Sequence, residues 1–107
     1  MATPFGVGLI EELRSKLAAA GIGRHERLHH DLWHTIYFAE AAATIQRRVD
    51  PKHRPYGDVG GYYPKVPIEA AIVLPRWELY LAGKLDRATL LGQLVAEAAL
   101  IDARRRH

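Results

Sequence analysis

The sequence predicts an all-α fold: a small bundle of four or five helices with one long loop rich in proline, glycine and tyrosine. Apolar residues recur at helical spacing in three separate stretches of the chain. Glycine and proline fall where those stretches would have to stop. The one segment that could pass for a strand, Val66–Leu74, contains alanine and glutamate, which strands disfavour.

Thr3-Pro4 reads as a helix start, a hydroxyl at the N-cap followed by a residue that needs no amide partner. Leu9, Ile10, Leu13 and Leu17 mark its buried stripe, with Glu12 and Lys16 four apart on the outside. Gly21 is the left-handed stop and Ile22 the apolar residue that often follows one. The first helix is therefore expected over Pro4–Ala20, weakened in its first turns by Gly6 and Gly8.

A longer helix is expected over Arg24–Val49, ended by Asp50-Pro51. Leu28, Leu32, Ile36, Ala39 and Ala43 form one stripe along it, while Trp33, Tyr37, Phe38, Ile45 and Val49 spread over much of the remaining circumference. A helix that is apolar on several sides is central to its domain or shared with a partner.

Asp50–Lys65 holds three prolines, three glycines and three tyrosines in 16 residues, an irregular segment with aromatic anchors. That is long for a compact domain, and long loops often carry function. Beyond it, the expectation is a helix from Pro67, a break at Pro75, and a helix over Arg76–Ala82 stopped by Gly83. Asp86 caps the last helix, Asp86–Arg104. Its buried stripe is Leu90, Leu91, Leu94, Val95, Ala98 and Ile101, and a second face carries only Ala88, Gly92, Ala96, Ala99 and Ala103.

At 107 residues the chain is the size of a single domain, read as 1–107, with an ordinary apolar share of 49%. It has no cysteine, which excludes disulfides, thiolate metal sites and a cysteine nucleophile. No run approaches the roughly 18 apolar residues of a membrane span, and the N-terminus lacks a basic, export-type opening. A cytoplasmic protein with no membrane contact is expected. The net charge of +3 resides in Arg104, Arg105 and Arg106; the other lysines and arginines balance the 12 acids.

Three chemistries can be read in the polar residues. His25, His29, His30 and His34 share one helix, and Glu26-x-x-His29 has the spacing used in di-iron bundles. Folding the first two helices back about Ile22 brings no matching acid to that pair, so no metal site or other cofactor is expected. Nucleic acid could meet the tail Arg104, Arg105 and Arg106, the loop cations Lys52, Arg54 and Lys65, and stacking Tyr56, Tyr62 and Tyr63. The last helix is too apolar to read a groove. No nucleophile elbow, phosphate-binding loop or zinc-protease pair suggests an enzyme, so no catalytic residue is assigned.

The expectation is a non-catalytic structural or adaptor subunit that packs into a homo-oligomer or larger assembly, such as a virion component or small scaffold. Its candidate interface residues are Trp33, Tyr37, Tyr56, Tyr62, Tyr63, Gly92, Ala96 and Ala99. Arg104, Arg105 and Arg106 are the candidates for contacting phosphate or an acidic partner. A small nucleic-acid-associated regulator is the alternative, and a helical metal-binding protein a further one.

Overall fold

Gly8, with φ at 82°, leads into α1 (Leu9–Ala19), and the helix closes as its sequence dictates. Gly21 turns left-handed at φ 91°. The amides of Gly21 and Ile22 then reach back to the carbonyls of Ala18 and Leu17, at 3.0 and 2.9 Å. This paired closure satisfies two carbonyls that the helix end leaves open, and it drives Ile22 fully into the core. The computed structural model describes residues 8–49, 51–52 and 62–105, the side chains of Arg47 and Tyr62 excepted.

After a short turn, α2 (Arg27–Arg48) begins behind Glu26. The Glu26 carboxylate accepts a 2.6 Å bond from the Gly23 amide, fixing that turn. One helical turn, α3 (Tyr62–Lys65), precedes α4 (Pro67–Leu81) and α5 (Arg87–Arg105). Asp86 caps α5, its carboxylate accepting a 2.7 Å bond from the Thr89 amide. That bond holds its carboxyl below the usual aspartate range.

The predicted stripes of α1, α2 and α5 face inward, with Ile10 and Val95 only partly buried at their edges. Leu9, Leu13 and Leu17 of α1, Leu28, Leu32 and Ile36 of α2, Val73 and Trp77 of α4, and Leu90, Leu91, Leu94 and Ala98 of α5 form one continuous core. α1 packs on α2 and α5, and α4 packs on the same two helices, which places α1 and α4 on opposite corners.

Helix directions follow from side-chain pairings. Arg14 meets His29 across the turn that joins α1 to α2. Glu69 pairs with Arg105, and Arg76 with Glu97, so α4 and α5 run oppositely. In contrast, Arg27 and Asp31 share a cavity with Ile68 and Glu69, while Ala39 and Ala43 share a groove with Leu74 and Leu81. α2 and α4 are therefore parallel. This order needs one connection that returns along the bundle, as in other four-helix folds with a crossover.

The differences from expectation are local. Pro67–Leu74 is helical, as preferred, with Val66 as its N-cap, but the break expected at Pro75 is absent, and α4 runs through it. Proline removes one amide and strains the turn before it. The carbonyl that loses its donor is that of Ala71, and both Ala71 and Pro75 lie on the exposed side of α4, open to water. Tyr62–Lys65, expected as irregular, forms the helical turn α3. α2 starts at Arg27 because 23–26 are occupied by the turn. The expected cap at Thr3-Pro4 and most of the Asp50–Lys65 segment lie outside the described residues.

Candidate functional site

Four histidines of the α2 region divide by role. His29 is fully buried, its Nδ1 3.0 Å from the Ile22 carbonyl and its Nε2 3.3 Å from Arg14 Nε. Since Arg14 can only donate, Nε2 accepts, and Nδ1 carries the proton donated to Ile22. With Glu26 on the Gly23 amide, both members of the Glu26-x-x-His29 spacing are spent on holding the α1–α2 turn. Glu11 is likewise held, by Arg24 at 2.9 Å. Among the described residues, no three His, Asp or Glu side chains converge as metal ligands.

His30 and His34 sit instead in a run of rings along the outside of α2. Their centroids are 3.9 Å apart, and Trp33 meets His34 edge-on at 4.0 Å. Tyr37 and Phe38 extend the run at 5.6 Å from each other. The Arg14 guanidinium lies 4.9 Å over the Trp33 ring, a cation–π contact that ties the run to α1. Partial burial, the neighbouring His30 and, more weakly, Arg14 push the His34 imidazole below its usual range, against the opposite pull of Asp31. Trp33 is half-buried against the core, while Tyr37 is 51% exposed.

The small-residue face of α5 is open. Gly92, Ala96 and Ala99 are all exposed, and a Cβ added at Gly92 would meet nothing within 4 Å. Neither neighbour of α5 covers this face, because Leu90, Leu91, Leu94 and Ala98 turn the other side inward. Leu100, 53% exposed, stands among these small residues.

The remaining candidates are dispersed. Tyr63 lines an apolar groove of about 400 Å³ between α2 and α4, walled by Ala39, Ala43, Leu74 and Trp77. Arg104 is exposed on the last turn of α5. Arg105 is engaged within the chain, its Nη2 3.5 Å from Glu69. Tyr56, Arg54, Arg106 and the Tyr62 side chain fall outside the described residues.

Sequence reasoning missed one site. Between α2, α3, α4 and the end of α5 lies a cavity of about 330 Å³ lined by Arg27, Asp31, Lys65, Glu69 and Arg105. Asp31 and Glu69 are buried. The available signal was weak: Arg27 and Asp31 are four apart, and Glu69 follows Pro67 in a first helical turn, both ordinary surface patterns.

No family model, curated protein or solved structure matches the chain.

Proposed function

We propose that this protein is a non-catalytic building block that associates with a second copy of itself through the outer face of α5. The observation that carries this reading is the arrangement of Gly92, Ala96 and Leu100 on one exposed helix face. Residues four apart share a face, so these three form a line with a notch at one end and a knob at the other.

Such a line is self-complementary. Two antiparallel copies of α5 crossing at Ala96 would set Leu100 of each copy over Gly92 of the other, a two-fold contact. Glycine and alanine allow the close backbone approach that this needs. Covering a half-exposed leucine contributes roughly 1–2 kcal/mol per copy, with the alanines adding to it. The Trp33–Tyr37 run on α2 offers a further surface for a larger assembly.

The buried histidine and most carboxylates fit a non-catalytic role. His29, Glu26 and Asp86 bond to backbone groups of the fold, and Glu12 pairs with Arg87 at 2.7 Å.

The absence of native cysteine permits a direct test. Ala96→Cys should give a disulfide-linked dimer under mild oxidation, because the two-fold crossing brings the two Cα atoms within bridging distance. Ser15→Cys, on the exposed side of α1, should give little. Equal yields from both variants, or none from Ala96→Cys, would count against the α5 interface.

A further inference from the structure

The cavity beside Glu69 has an unusual electrostatic state. Glu69 is 5% exposed, and its one ion-pair partner among the described residues is Arg105 at 3.5 Å. That distance is beyond an ordinary hydrogen bond, so the buried carboxylate is neutralised without being bonded. Across the same cavity Asp31 holds Arg27 equally loosely, Nε to Oδ2 at 3.4 Å. Both guanidinium groups are largely or half exposed and can swing. Lys65 adds a third cation, and Ile68, half exposed, adds an apolar edge.

Single charges fit this cavity badly. A simple anion that recruits Arg105 would leave Glu69 buried without a counter-charge, which is the costly way to break a buried pair, and one held by Lys65 alone would gain only a single exposed contact. A simple cation would satisfy Glu69 but crowd against Arg27, Lys65 and Arg105. A molecule bearing both charges avoids each penalty. Its ammonium replaces Arg105 at Glu69, and the released guanidinium then takes its carboxylate through paired hydrogen bonds.

We infer that the cavity between Asp31, Glu69, Arg27 and Arg105 binds a small zwitterion of the α-amino-acid class, ammonium towards Glu69 and carboxylate towards Arg105. The volume of about 330 Å³ suits a molecule of that size. An aliphatic side chain on the ligand would lie along Ile68. This site is independent of the α5 face, so either can fail without the other.

The test uses three matched probes on the full chain, followed by amide chemical shifts. Norleucine carries both charges, hexanoate lacks the ammonium and pentylamine lacks the carboxylate. Norleucine should produce saturable shifts at Ile68, Glu69 and Arg105, and the other two should bind at least about tenfold more weakly. Glu69→Gln should remove norleucine binding. Should that buried change disturb folding, Arg105→Lys, which keeps a counter-charge for Glu69 but cannot grip a carboxylate through paired hydrogen bonds, should weaken binding at least about tenfold with the fold intact. Norleucine shifts that fail to saturate by about 50 mM would overturn the inference, as would equal binding of hexanoate or pentylamine. Undiminished norleucine binding in folded Arg105→Lys would also overturn it.

Discussion

Leu100 follows Gly92 by about two helical turns on the outer face of α5, and both are open to solvent. This relationship separates two readings of a glycine inside a helix. If the face stays bare, Gly92→Ala only removes a flexible residue, stabilising the chain by up to about 1 kcal/mol. If the face is an interface, a larger side chain also fills the notch. Gly92→Leu is therefore expected to leave the monomer's thermal midpoint unchanged or raised while abolishing the dimer. Thermal unfolding at low concentration, together with light scattering at high concentration, measures both.

The buried imidazole of His29 is expected to act as a structural brace. His29→Leu keeps most of the apolar packing but leaves the Ile22 carbonyl without its 3.0 Å donor. An unsatisfied buried group of this kind costs about 1–3 kcal/mol. Urea unfolding should show a lower midpoint with an unchanged slope, since the surface exposed on unfolding stays the same.

The helical core was legible because its stripes are repetitive. Leu9-Leu13-Leu17 and Leu90-Leu94-Ala98 repeat the same spacing, and the closures at Gly21 and Asp86 depend on local chemistry. Pro75 misled because tolerance of a helical proline depends on which side of the helix it falls, here the exposed one, with Ala71 exposed as well. The Glu69 cavity was invisible for a different reason. It joins Arg27, Lys65, Glu69 and Arg105 across four elements, and their meeting depends on α2 and α4 being parallel. No local spacing encodes that.

His34 is expected to make stability fall in weak acid. Its folded-state pKa is lowered, chiefly by burial and then by His30, so the unfolded chain binds the proton more readily. The contribution is fully present above the unfolded value of 6.5 and is lost as pH falls through the folded one. His34→Gln should flatten this dependence. Proton NMR of the ring should give a midpoint below 6.5 that rises in His30→Ala.

Glu40 is expected to show the opposite sign. Burial raises its carboxyl above the ordinary value of 4.5, with Arg87 opposing the shift, and Oε2 has no hydrogen-bond partner among the described residues. Its protonated form favours folding, so that contribution is present below 4.5 and lost as pH rises through the folded value. Glu40→Gln should raise the thermal midpoint at neutral pH by a small amount, because solvent screens so much of the group. The gain should vanish in acid, as a pH series of thermal unfolding curves would reveal.

Sedimentation equilibrium of the unmodified chain tests the central claim most directly. Self-association through α5 predicts an average mass that climbs from 12.0 kDa towards twice that value as concentration rises, and that stays at the monomer value in Gly92→Leu. A mass fixed at 12.0 kDa across the whole accessible concentration range would contradict it, as would a dimer that Gly92→Leu leaves intact.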